Sequence, residues 1–198
     1  MDLADVVRGR RMARNFLQAP VDRLLIEECI ELSTWSPSAG KSQGWHIVGL
    51  SGDDTALFWD AALPLEKRHA FSFPGLLNAG FVGVVVADPA AYVARYAEPD
   101  KAHTGLGRGP DAWPVPYWTV DASMATMTFL LAVQERGLGA LFFAVANEDE
   151  VRTALGIPGD MQVIGAVAVG HRADADRPGR SAARQRRPVD QVVRWGGW

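Results

Sequence analysis

The sequence holds a single cysteine in 198 residues. Cys29 therefore has no partner for an intrachain disulfide and cannot build a cysteine-based metal cluster within one chain. So sparse a use of thiols fits a reducing cytoplasm. Histidine is nearly as scarce. His46, His69, His103 and His171 are scattered, with no H-x-x-x-H pair, which argues against a metal site. No apolar run approaches the length of a bilayer crossing; Phe81–Ala87 is among the longest. The opening MDLADVVRGRRMARNF is charged throughout and does not read as a signal peptide. No internal repeat of fixed period is present.

Arginine is abundant and unevenly placed. Arg8, Arg10, Arg11 and Arg14 crowd the first fourteen residues against two aspartates. Seven more arginines stand against three aspartates in residues 172–198. The stretch between is acidic, and the whole chain carries −3. Two basic ends around an acidic middle predict that both converge on one anion, with a small phosphate cofactor as the economical candidate. A nucleic-acid partner is disfavoured, because such surfaces need a basic domain with interleaved aromatics. The length and the 48% hydrophobic content suit one domain, residues 1–198, with an arm from about 171 to 198.

Helices are predicted over Leu3–Arg8, from an Asp22 cap to near Ser36-Pro37, from Ser51–Asp54 through Trp59, and after Asp88-Pro89. The strongest helix is Tyr117–Arg136, with Met124, Met127 and Leu131 on its apolar stripe. Another follows Asn147 and Glu150, which have capping-box-like spacing. Strands are predicted at Trp45–Leu50, Phe81–Ala87, Ala140–Val145 and Gln162–Val169. Glu98–Pro116 holds four prolines and three glycines and reads as a lid-like loop. Helices separate the strands along the chain, so the fold class is α+β: one layered sheet with surrounding helices.

Arg10-Arg11-x-x-Arg14 suits bidentate phosphate binding, and equally a solvated basic face. Arg184-x-Arg186 offers a second set of guanidinium groups. Ser36-Pro37-Ser38-Ala39-Gly40-Lys41-Ser42-Gln43-Gly44-Trp45 presents small residues, hydroxyls and amides after a helix end. It suits a planar ligand with many heteroatoms, or simply a helix-to-strand turn. Gly105-x-Gly107-x-Gly109 follows no strand and opens no helix, so it is no dinucleotide fingerprint. Trp113, Tyr117 and Trp118 at the loop-to-helix junction serve either structure or stacking on a ligand. Trp195 and Trp198 call for a packed or dimer-wrapping tail.

Taken in order, Arg10-Arg11-x-x-Arg14-x-Phe16, Ser36-Pro37-Ser38 through Gln43-x-Trp45, the helix from Tyr117, the VRTALGIP segment at Val151–Pro158 and the arginine–proline tail resemble the FMN-dependent nitroreductase family. The resemblance implies a nitroreductase-like fold and a homodimer that exchanges its C-terminal arms, with two flavins at the interface. It places Arg10, with Arg11 beside it, at the FMN phosphate or ribityl chain, and Arg14 at the pyrimidine edge. It sends Pro37, Ser38 and Ala39 to the flavin of the other subunit. Phe143 and Ala144 match the segment whose backbone approaches flavin N5, and Arg184 and Arg186 the phosphate clamp. Met12 stands where the family has serine, Lys41 where it often has asparagine and Gly44 where it often has proline.

The implied activity is ping-pong hydride transfer from NAD(P)H through FMN to a nitroaromatic, quinone or similar electrophile. No further catalytic side chain and no metal are required, and Trp113, Tyr117 and Trp118 border the substrate. The expected setting is cytoplasmic, without nucleic-acid or membrane partners. Alternatives are a flavin-destroying, dehalogenating or deazaflavin-using enzyme of the same fold, or a non-catalytic flavin-binding protein.

Overall fold

The computed structural model describes residues 2–198, apart from the side chain of Arg180. Helix α1 spans Leu3–Gly9 and α2 Arg23–Ser33. Aspartates start both: Asp2 accepts from the Asp5 N–H and Asp22 from the Leu24 N–H, satisfying amides that a helix start leaves free. Strand β1 covers Trp45–Ser51, followed by α3 at Thr55–Ala62 and a short α4 at Leu65–Arg68. Strand β2 is Phe81–Ala87 and α5 is Pro89–Ala97, where Asp88 accepts from the amides of Ala90 and Ala91. Then come α6 (Tyr117–Glu135), β3 (Gly139–Phe143), α7 (Glu148–Leu155), β4 (Gln162–Gly170) and a final turn of helix, α8, at Val189–Val192.

The four strands form one sheet in the order β1-β2-β4-β3, every neighbouring pair antiparallel. All seven residues of β2 are buried, which explains its unbroken apolar sequence. Strand β1, at an edge, is mostly half-exposed. Successive β2 side chains alternate between two layers. Val82, Val84 and Val86 pack with Phe58 and Trp59 of α3 and Val151 of α7. On the other face Phe81 joins Phe129 and Val133 of α6 and Ile26 and Cys29 of α2. A third cluster gathers Val85, Tyr92, Trp113, Trp118 and Ala122 at one end of α6.

This is the expected α+β layered sheet, and most element boundaries agree within one or two residues. Three details differ. Helices α4 and α8 lie where no element was read. Asn147 sits at φ 50° and caps nothing with its side chain; its amide nitrogen donates to the carbonyls of Ala61 and Ala62, joining α7 to α3. Met124 and Met127 are exposed, because α6 buries Ala122, Ala125, Phe129 and Val133 instead.

Candidate functional site

The two ends of the chain meet. Met12 bridges Ala140 of β3 in parallel, and Phe16 bridges Arg172. The Leu17 amide donates to His171 O at 2.8 Å, and the Ala173 amide to Asn15 O at 3.0 Å. The Asp176 side chain, fully buried, closes this seam. Its Oδ1 accepts from the Arg14 amide at 2.9 Å. Its Oδ2 faces Arg11 Nη2 at 3.1 Å as an ion pair, off the line of a hydrogen bond. Both ends do converge, then, but the residue that meets the N-terminal arginines is an aspartate. Arg184 and Arg186 are exposed and line neither cavity beside Arg14.

Arg14 borders two cavities. One, about 890 Å³, lies among Asn15, Ser72, Gly75, Asp176, Arg177 and Ser181. The other, about 290 Å³, is chiefly apolar, walled by Trp59, Phe71, Phe73, Leu76, the Phe142–Phe143 end of β3 and Ala144 after it. The Arg14 guanidinium lies 5.7 Å from the Phe73 ring centroid and donates to Met12 O at 3.1 Å. Phe143 stacks on Trp59, ring planes 3° apart and centroids 6.0 Å apart. Arg10 Nε and Trp59 Nε1 are buried without a protein acceptor; Trp59 lines the apolar cavity, whereas Arg10 and Arg11 line neither. Met12 is drawn into the packing instead, its sulfur accepting from the Phe142 amide at 3.5 Å.

The loop after α2 stands apart from these cavities within one chain. Pro37 and Lys41 are exposed; Ser38 and Ala39 are half-buried. Ser38 Oγ accepts from the Gln43 amide at 2.8 Å, and the Ala39 amide donates to Asp121 Oδ2 at 2.8 Å. Gly40-Lys41-Ser42-Gln43-Gly44 has the spacing of a nucleophile elbow. It enters a strand instead of leaving one, and Ser42 Oγ is tied to Ala39 O, so no such nucleophile is built.

Of the three junction aromatics only Tyr117 is exposed. Trp113 and Trp118 are buried around Tyr92, donating to Leu106 O and to Gln162 Oε1. They hold the lid down from inside.

A model of the nitroreductase family matches residues 7–171. The chain belongs to the nitroreductase family. As a member it is an oxidoreductase of the nitroreductase type. It is similar to an NADH dehydrogenase of Thermus thermophilus, 26% identical, over 98% of this chain and 96% of the relative. It also resembles a 5,6-dimethylbenzimidazole synthase of Rhodospirillum rubrum, 28% identical over 81% of this chain and 77% of the relative. Among solved structures, a nitroreductase in complex with FMN from Exiguobacterium sibiricum superposes with a TM-score of 0.78, at 18% identity, covering 98% of this chain and 97% of that one.

In this nitroreductase the residues present fit a flavin mononucleotide. A slot walled by aromatics suits a planar ring system, and the cation at its rim suits a polar edge. The buried Arg10 Nε has no protein acceptor and is left to donate to a ligand oxygen. Two residues of the site were not singled out from sequence, Asp176 and Asp121. The arginine excess of the tail hid the first. The second is the one charged residue from Tyr117 to Gln134 of α6, and that isolation was its only signal.

Proposed function

We propose that this nitroreductase binds FMN, takes electrons from NAD(P)H and passes them to an electrophilic acceptor, a nitroaromatic, a quinone or a relative of these. The observation that carries the reading is Arg14 standing where an apolar aromatic slot meets a larger cavity of mixed polar and apolar lining. When bound, FMN supplies the hydride chemistry, and the protein supplies position and electrostatics. Arg14 holds a fixed positive charge at the pyrimidine edge, where charge accumulates on reduction. Arg10, with Arg11 beside it, serves the phosphate end. The Phe143–Ala144 backbone, which lines the slot, would help orient the ring, and Trp59 and Phe143 would exclude water from it.

The remaining parts belong to a homodimer. Pro37, Ser38, Ala39 and Lys41 reach the cofactor of the partner subunit, and the arm bearing Arg184 and Arg186 closes on a phosphate across the seam. Tyr117, exposed at the head of α6, touches the acceptor, while Trp113 and Trp118 shape the lid from within. A cytoplasmic setting fits the lone buried cysteine. Among the described residues no helix is long and apolar enough to cross a membrane.

Absorption spectra of the purified protein, then anaerobic titration with NADH and NADPH, test the reading. A flavin spectrum that bleaches supports it. Protein that refuses added FMN refutes it. Arg14→Ala should slow bleaching on the order of 100-fold. The similarity to a 5,6-dimethylbenzimidazole synthase favours one second reading, an enzyme of the same fold that destroys its flavin. Chromatography of aerobic reactions separates the two: intact FMN supports the first, a new benzimidazole the second.

A further inference from the structure

The loop Ser38–Gln43 is held in an uncommon shape. Gly40, Lys41 and Gln43 have φ of 59°, 56° and 50°. Left-handed backbone is uncommon and strained for residues with a Cβ. Such a conformation persists only where its surroundings over-determine it.

Those surroundings come from α5 and α6. Asp121, 3% exposed, receives two hydrogen bonds on one oxygen: Tyr92 Oη at 2.7 Å and the Ala39 amide at 2.8 Å. Tyr92 is itself wholly buried, and burial followed by the bond to Asp121 holds its phenol well above its ordinary range, so it stays a donor. Arg95 Nε donates to Gly40 O at 2.8 Å while its guanidinium pairs with Asp100 at the start of the lid. A Cβ on Gly40 would lie 2.8 Å from the Tyr96 ring. The loop is thus pinned from below while its Pro37 and Lys41 side chains stay exposed.

We infer that Asp121 and Tyr92 are positioning residues that fix the Ser38–Gln43 loop in the shape that receives FMN. This rests on the proposed FMN reading. Neither side chain needs to touch the cofactor; each acts through the Ala39 amide. Tyr92 also packs against Trp113 and Trp118, so the 98–116 segment and the loop share one buried anchor.

The test compares the parent protein with Asp121→Ala, Asp121→Asn and Tyr92→Phe. Amide hydrogen exchange is measured on flavin-free protein and FMN affinity by fluorescence quenching. In Asp121→Ala the Ala39 and Gln43 amides should exchange faster while Val82–Val86 are unchanged, and the FMN dissociation constant should rise about tenfold. Tyr92→Phe keeps the aromatic packing and should show the same pattern, weaker, at about threefold. Asp121→Asn retains an acceptor oxygen and should restore affinity to within about threefold of the parent. Variants that bind FMN like the parent overturn the inference, and so does Asp121→Asn binding as weakly as Asp121→Ala. If Asp121→Ala does not fold, Tyr92→Phe decides. A parent protein that takes up no FMN overturns the proposed function as well, which marks that failure apart from this one.

Discussion

Asp176 sets a carboxylate among the arginines that the proposed cofactor needs. Asp176→Asn keeps an oxygen for the Arg14 amide and removes the charge facing Arg11. The site becomes more positive, so reduced flavin should gain stability and the midpoint potential should rise. The rise is roughly 30 mV for each tenfold gain in relative affinity for the reduced form; a fall, measured with a dye-coupled titration, contradicts the charge argument. Asp176→Ala also strips the Arg14 amide of its acceptor and should cost about 1–3 kcal/mol in denaturant unfolding. Cys29 makes a second prediction. Burial, the largest cause, pushes its thiol from 9.0 up to about 11. The folded protein keeps a proton that the unfolded chain releases above about pH 9. That contribution to stability is complete below pH 9 and is lost as pH rises toward about 11. Ellman's reagent at pH 8 should therefore find no thiol in the native protein and one per chain in denaturant. From sequence, Cys29 was legible as a lone thiol and its neighbours on α2 as an apolar face. Asp176 was not legible, since an aspartate between Ala175 and Arg177 gives no local sign that it will lie under an arginine over 160 residues away.

Elements whose ends carry their own chemistry were readable. Asp22 and Asp88 announce α2 and α5, and a run of valines announces β2. Segment 63–78 was not, because Leu65–Arg68 is too short for periodicity and owes its turn to tertiary packing. The lid was read as a loop from its prolines and glycines; its attachment was invisible because it depends on a close approach of two backbones. A Cβ on Gly107 would lie 2.5 Å from the Ala97 nitrogen and 2.6 Å from its Cα. Gly107→Ala should lift the lid from α5. Limited proteolysis within residues 98–116 should then accelerate, with a far-UV spectrum like the parent's; a lid cut no faster refutes the packing argument.

At the scale of the molecule the order of elements and the α+β class followed from pattern, whereas the pairing order of the strands did not. That order is set by contacts between distant segments. Neither did one sequence show which surfaces need a second copy. Trp35, Met124 and Met127 are exposed, and Val189, Trp195 and Trp198 of the tail stand in solvent. Large apolar groups exposed in such number suit burial in the proposed homodimer. Light scattering should give twice the 21.5 kDa chain mass for the full protein. Removing residues 188–198, which leaves Arg184 and Arg186 in place, should shift it toward a single chain and weaken FMN retention. A truncated protein that stays paired refutes the role of the tail.

The seam of Asn15, Phe16 and Leu17 against His171, Arg172 and Ala173 bears on biogenesis. A ribosome delivers residue 14 long before residue 176. Arg14 cannot be locked until Asp176 has emerged, so a nascent chain caught before that point has no finished seat for the proposed flavin. Loading is thereby deferred until that carboxylate arrives, and products terminated ahead of it should be recovered colourless.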